Sequence, residues 1–247
     1  MTTTPPGEVL LSVDDLAVSV DRPAGRLDLY SGLGFDLHAG EVLALTGENG
    51  VGKSTLGRVL IGLFRYPVQV VRGRVRYRGR DVLGLSEREL TTLRRDSIRL
   101  VLQEGVSALD PVESVGWQLD SVLRGKGVED PAERASRIRA MLDDLAMPAE
   151  RILRATAAEL SGGQGKRVVI AQALLSMPDV IVADEVTAGL DLIRAREVVD
   201  ILVSRAREQG CGVIMVSHDH MMVARVADRV LRLERPAAAA REEAVDA

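Results

Sequence analysis

The feature that most constrains this chain is the glycine-rich octapeptide GENGVGKS at 47–54. It follows the apolar run 41–46, which predicts a buried parallel strand, and it precedes apolar residues at helical spacing. The octapeptide fits G-x-x-x-x-G-K-[ST], a loop whose backbone N–H groups surround phosphate oxygens. A glycine-rich turn that binds nothing is the alternative, and the strand–loop–helix context disfavours it. The candidate binding residues are Gly47, Asn49, Gly50, Gly52, Lys53, Ser54 and Thr55, and the helix carries Leu56, Val59, Leu60 and Leu63.

An acidic pair, Asp184 and Glu185, ends a second apolar run at 180–183. Parallel strands present their carboxyl ends at one edge of a sheet, so the pair should face the phosphate loop. There Lys53 would reach the β- and γ-phosphates of a nucleotide, while Ser54 and Asp184 would hold Mg²⁺. Glu185 would orient the attacking water. A pair of acids that only caps a helix is the alternative.

The pentapeptide LSGGQ at 160–164 predicts a second anion-binding helix start. Ser161 can cap a helix whose first turn exposes backbone N–H groups, and an anion can bind there. An ordinary glycine-rich helix start is the alternative. The residues of this first turn are Gly162, Gly163 and Gln164.

His218 follows a further apolar run at 212–216, where the next strand would end. Its position at a strand end makes it a candidate site residue. A lone histidine with a structural role is the alternative, and His220 is expected to be a surface residue.

Composition is that of an ordinary globular protein: 247 residues, 46% hydrophobic, enough for one large domain or two closely packed subdomains. A net charge of −4 provides no general attraction for nucleic acid. The single cysteine, Cys211, is expected to be a buried core residue. No apolar stretch approaches the roughly 18 residues that cross a bilayer, and no signal peptide is evident, so we expect a cytosolic protein.

The chain divides by pattern into three kinds of region. Short strands at 9–13 and 16–20, a turn at 21–25 and the segment 73–79 predict a small antiparallel sheet. A capping box at 86–89 starts a helix with Leu90 and Leu93 on its apolar face. Asp130 and Pro131 start another helix within a helical insertion at about 103–161. The last residues, 235–247, are expected to form a disordered or frayed tail.

The ordered set of motifs resembles that of ATP-binding cassette (ABC) ATPases, from about residue 10 to residue 235. The resemblance implies an α/β P-loop NTPase with a RecA-like core, an antiparallel β subdomain and a helical subdomain, in one domain at 8–234. It also implies that LSGGQ, the signature segment, completes the ATP site of a second cassette. It implies that Gln103 lies in the Q-loop and contacts metal or water, and that Asp191 lies in the D-loop at the dimer junction. It also implies that His218 is the switch histidine, a hydrogen-bond donor to the γ-phosphate.

Several segments resemble the peptide and nickel importer branch of that family, namely 107–111, 113–116 and 86–90. The resemblance implies an ATP-hydrolysing subunit on the cytoplasmic face of the membrane. Its partners would be integral membrane permease subunits, a second ATPase subunit and, indirectly, an extracellular solute-binding protein. The lack of a long C-terminal extension suggests the shorter nickel type. An exporter subunit or a non-transport ABC ATPase is the alternative.

A few positions depart from the family pattern. Val20 lies where an adenine-stacking aromatic is usual, and Tyr30 is displaced in register. Val186 replaces a proline. The D-loop pair and the residues after the signature are also unusual. None of these changes removes a phosphate, metal or water ligand, so we predict an active ATPase. The contrast between an intact signature and a less typical adenine pocket and dimer junction favours a heteromeric pair with a second ATPase subunit. The unusual residues are Ala188 and Gly189 in the D-loop, and Gly165 and Lys166 after the signature.

Overall fold

The computed structural model describes residues 7–102 and 105–236. One sheet is antiparallel, with strand order β2-β1-β4-β5. β1 is continuous, so the prediction of two separate strands at 9–13 and 16–20 was wrong. Asp15 has a positive φ of 47° and forms a bulge in β1. The pairing register shifts around Leu16, and β1 stays hydrogen-bonded to its neighbours on both sides of the bulge. The strands are β1 (Val9–Arg22), β2 (Gly25–His38), β4 (Val68–Tyr77) and β5 (Arg80–Asp81).

The other sheet is parallel, with strand order β6-β7-β8-β3-β9. β3, β7 and β8 are wholly buried, as their apolar sequences predict, and successive residues face two different cores. The carboxyl ends of these strands lie at one edge, where the sequence motifs meet. The strands are β3 (Val42–Thr46), β6 (Ile98–Val101), β7 (Val180–Asp184), β8 (Gly212–Val216) and β9 (Arg229–Arg232).

Helices cover both faces of the parallel sheet. α1 packs in the core shared with the antiparallel sheet, and α6 and α7 pack in the other core. α1 ends earlier than predicted, in a Schellman motif. The N–H groups of Leu63 and Gly62 donate hydrogen bonds to the carbonyl oxygens of Arg58 and Val59. The Leu63 side chain is 42% exposed. The helices are α1 (Lys53–Leu60), α2 (Glu87–Asp96), α6 (Gly162–Leu175), α7 (Leu192–Glu208) and α8 (His220–Val226).

The region between β6 and α6 is helical, as the sequence predicts. Asp130 caps α4 by accepting from the N–H of Ala132 at 3.0 Å, and Pro131 is its first residue. Within the described residues, no helix combines the length and apolarity that a membrane span requires. This region comprises the 3-10 turns Gly105–Ala108 and Ala157–Glu159, and the helices α3 (Val115–Gly125), α4 (Pro131–Asp144) and α5 (Ala149–Arg154).

Candidate functional site

The phosphate loop lies between β3 and α1, as predicted. Gly47 is required by close packing, because a Cβ there would lie 2.6 Å from the carbonyl oxygen of Leu233. α1 starts with Gly52 as its N-cap, no side chain caps it, and its first turn has no acidic residue. Its first N–H groups are therefore open to an anion, and the helix dipole favours negative charge there. Asn49 is exposed at the tip of the loop and Thr55 is half-buried in α1.

Lys53 is held inside this loop with only 6% of its surface exposed. Its Nζ donates to the carbonyl oxygens of Gly47 and Glu48, at 2.9 Å each. Burial lowers the pKa of Lys53, and the charges of Glu185 and Asp184 partly oppose that effect. The ammonium group is therefore positioned by the loop and attracted by the acidic pair.

Asp184 ends β7 with 4% of its surface exposed. Burial raises its pKa, as does the neighbouring charge of Glu185, while a hydrogen bond from Ser54 opposes the rise. Its Oδ1 is buried and has no hydrogen-bond partner among the described residues. A buried carboxylate oxygen without a partner, beside a serine hydroxyl, is the donor set that Mg²⁺ takes when phosphate oxygens supply other ligands. The residues present therefore fit Mg²⁺.

Glu185 and His218 meet at the ends of β7 and β8. Glu185 Oε1 lies 2.7 Å from His218 Nε2, and both side chains are partly exposed. Glu185 has a φ of +47°, an uncommon conformation for a residue with a side chain. Its N–H donates to the carbonyl of Val216 at 3.1 Å, which joins the two strand ends. The arrangement can orient a water molecule beside a phosphate held by the loop.

The signature segment forms the helix start that its sequence predicts. The Ser161 hydroxyl accepts from the Gln164 N–H at 3.3 Å, and the Gln164 side chain accepts from the Ser161 N–H at 3.0 Å. A Cβ on Gly162 would meet nothing, whereas one on Gly163 would lie 3.1 Å from Leu190 Cδ2. This helix start therefore packs on the loop that leads to Asp191, which caps α7. Within the described residues, no hydrogen bond joins it to the phosphate loop.

Cys211 and His220 have the burial and exposure that the sequence predicts. Cys211 is buried, as expected, and burial raises the pKa of its thiol to about 12. His220 is exposed, also as expected. Gln103 lies outside the described residues, so its predicted contact with metal or water stays a prediction.

Comparisons with known proteins agree with this geometry. A family model described as "ABC transporter" matches residues 30–188. The chain is 38% identical to the oligopeptide transport ATP-binding protein OppD of Salmonella typhimurium, over 92% of this chain and 68% of that protein. It is 36% identical to the dipeptide transport ATP-binding protein DppD of Bacillus subtilis, over 90% and 67%. The chain belongs to the ABC transporter family. It spans about two thirds of the length of these two relatives.

A solved ABC cassette has the same fold. The structure is the dimeric, post-hydrolysis state of the ATP-binding cassette MJ0796 bound to ADP and Pi. It superposes with a TM-score of 0.80 at 27% identity, covering 91% of this chain and 94% of that chain. The fold is therefore that of an ABC ATPase, with the predicted antiparallel and helical parts beside a nucleotide-binding core. As a member of the family, the chain is an ATPase.

Two of the residues named with the departures from the ABC pattern have a clear place in the structure. Tyr30 is buried, and a Cβ on Gly52 would lie 3.2 Å from its ring, so Tyr30 supports the phosphate loop from beneath. Within the part of the chain that the structure describes, its hydroxyl has no hydrogen-bond partner. Gly189 has a φ of +75°, which explains a glycine in this D-loop.

The sequence alone did not reveal a role for Lys166. Its Nζ donates a hydrogen bond to the carbonyl oxygen of Ala188, which joins the first turns of α6 to the loop after Glu185. The only signal in the sequence was that both positions depart from the family pattern, and nothing indicated that they touch.

Proposed function

We propose that this ABC ATPase powers the uptake of peptides through separate membrane subunits, with Glu185 as the residue that orients the attacking water. The observation that carries the proposal is the Glu185–His218 pair, 2.7 Å apart, at the sheet edge that also holds Lys53 and Asp184. A carboxylate beside a fixed ammonium group and a phosphate loop is suited to phosphoryl transfer to water. The peptide specificity rests on the names of the relatives.

The phosphate loop and Lys53 bind the β- and γ-phosphates and fix the direction of attack. Glu185 accepts a hydrogen bond from the water and polarises it, while His218 holds the carboxylate in place. Ser54 and Asp184 would hold Mg²⁺, which supplies positive charge to the phosphate oxygens when bound. Gln103 is proposed to contact the metal or the water.

The complete ATP site is proposed to need a second ATPase subunit. Ser161 caps a helix that begins at Gly162, and the N–H groups of Gly162 and Gly163 in its first turn are open to an anion, yet this helix start makes no hydrogen bond to the described part of its own phosphate loop. The residues that follow the D-loop and the switch histidine expose large apolar side chains, as a protein interface would. These are Leu192, Ile193 and Met221, which are 81%, 72% and 82% exposed. We favour a paralogue over an identical copy as the second subunit.

The membrane partners are proposed to contact the helical region. Trp117, at the start of α3, is 49% exposed, and the nearby Val112 is 80% exposed. Exposed aromatic side chains are enriched at protein interfaces. The chain would then lie on the cytoplasmic face of the membrane, and an extracellular binding protein would deliver the solute. The relatives compared are named for peptides, so nickel is the less supported substrate, and neither an exporter nor a non-transport ATPase is favoured.

The test is purification of the chain together with the membrane subunits encoded beside it, followed by reconstitution in vesicles with the cognate binding protein. We expect ATP hydrolysis that rises when short peptides are added, together with accumulation of peptide. Stimulation by nickel salts but not by peptides would contradict the substrate assignment. A chain that purifies in a soluble assembly without membrane subunits would contradict the transport function.

A further inference from the structure

The contact between Lys166 and Ala188 lies at a junction of two functional segments. Lys166 is in α6, five residues after Ser161, and is half-buried. Its Nζ donates to the carbonyl oxygen of Ala188 in the loop that begins after β7. Burial lowers the pKa of Lys166, and the charge of Glu185 partly opposes that effect. The ammonium group is therefore electrostatically coupled to the Glu185 carboxylate as well as bonded to its loop.

Ala188 is in turn bonded to Glu185. The Ala188 N–H donates to the Glu185 carbonyl oxygen at 3.0 Å, so hydrogen bonds engage both polar groups of Ala188. On its other side Glu185 is held by the bond from its N–H to Val216 at 3.1 Å. Because Glu185 has the uncommon φ of +47°, its backbone needs such restraints to keep the carboxylate at His218. Lys166 restrains the loop from the side of the signature helix.

The two positions that touch are both unusual for the family. Ala188 lacks the hydroxyl that a serine or threonine would bring to the D-loop, and Gly189 after it allows more backbone freedom. A lysine at 166 supplies a side-chain donor to this same loop. Ala188 therefore brings no side-chain hydrogen bond to this loop, and its carbonyl oxygen accepts one from Lys166 in α6.

We propose that Lys166 is a positioning residue that fixes the loop after β7, and through it Glu185, to the helix of the signature segment. The proposal rests on the proposed role of Glu185. Since the Lys166 Nζ bonds to the Ala188 carbonyl oxygen, outside the phosphate loop, its loss should act on turnover and not on ATP binding. The same bond would link movement of the signature helix to the placement of the water-orienting carboxylate.

The chain provides a matched control. Lys126 also donates from a half-buried Nζ to a backbone carbonyl, that of Asp96, at 2.7 Å. Burial lowers its pKa in the same way. It lies at the end of α3 beside Asp96, which precedes β6 at the amino ends of the parallel strands, whereas Ala188 follows β7 at their carboxyl ends. Lys126→Met thus removes the same kind of hydrogen bond and retains a similar aliphatic side chain, without touching the loop of Glu185.

The experiment measures ATP hydrolysis, ATP affinity and thermal stability for the complete chain carrying Lys166→Met, Lys166→Arg or Lys126→Met. We expect Lys166→Met to lower kcat by about tenfold with KM unchanged, because a less firmly positioned Glu185 carboxylate stabilises the transition state less. Lys166→Arg, which keeps a donor, should restore most of the rate. Lys126→Met should lower the Tm as much as Lys166→Met does and leave kcat unchanged.

A kcat for Lys166→Met within about twofold of the wild type would overturn the proposal. An equal loss of kcat in Lys126→Met, or no recovery in Lys166→Arg, would overturn it as well. Glu185→Gln separates this failure from that of the proposed function. If Glu185→Gln is inactive while Lys166→Met is fully active, only the positioning role is wrong. An active Glu185→Gln would instead remove the proposed role of Glu185 itself.

Discussion

Replacement of Gly165 by alanine should destabilise the protein, although the same change in a helix usually stabilises. Gly165 is a buried residue in the first turns of α6. A Cβ there would overlap Val106 Cγ2 and lie 3.2 Å from Val106 Cβ. Val106 belongs to the 3-10 turn Gly105–Ala108. The signature helix therefore packs directly on the segment that follows the predicted Q-loop, with no room for a methyl group.

Two opposing contributions set the change in the free energy of unfolding that Gly165→Ala causes. Alanine in place of glycine gains about 1 kcal/mol in a helix interior. Overpacking a core by one methyl group costs about 1–3 kcal/mol, because a valine cannot turn both of its methyl groups away. We expect a net loss of about 1 kcal/mol in the free energy of unfolding, which lowers the Tm by about 2–4 °C for a chain of this size.

The assay is thermal unfolding followed by circular dichroism, with two control variants. Gly125, the last residue of α3, has open space where a Cβ would be placed, so Gly125→Ala should keep or raise the Tm. The pair Gly165→Ala and Val106→Ala should be more stable than the two single effects predict, by about 1 kcal/mol. A Tm for Gly165→Ala equal to or above that of the wild type would refute the packing argument.

Three further predictions concern single side chains. Tyr30→Phe should raise the free energy of unfolding by about 1 kcal/mol, because the buried hydroxyl has no partner among residues 7–102 and 105–236; a lower stability in urea would show that this group is bonded. Lys53→Ala should weaken ATP binding at least about tenfold in calorimetry, since it removes the buried ammonium group, and wild-type affinity would refute that assignment. Asp184→Asn should raise the Mg²⁺ concentration needed for half-maximal hydrolysis by roughly tenfold or more, and an unchanged Mg²⁺ titration would remove Asp184 from the metal site.

The sequence predicted those parts of the fold that depend on local patterns. The capping box of α2 formed as expected, with Ser86 and Glu89 bonding to each other's backbone N–H groups at 3.4 and 2.8 Å. The apolar runs before the phosphate loop and before Asp184 became buried parallel strands. Because parallel strands end at one edge, the motifs that follow them could be placed together from the sequence alone.

Features that depend on distant contacts could not be predicted in this way. Nothing in the local sequence shows that Val106 fills the space beside Gly165, or that Lys166 reaches Ala188. The continuity of β1 depends on a bulge at Asp15, which the alternating pattern does not reveal. The boundaries of the single domain at 8–234 stay a prediction, and the predicted tail lies mostly outside the described residues.

The most direct test of the account is the rate of ATP hydrolysis by Glu185→Gln. Glutamine keeps the size of the side chain and removes the charge that would polarise the water beside His218. We predict that kcat falls by roughly 100-fold or more while the affinity for ATP stays at the wild-type value. Hydrolysis at the wild-type rate by the purified variant would contradict the central claim that Glu185 orients the attacking water.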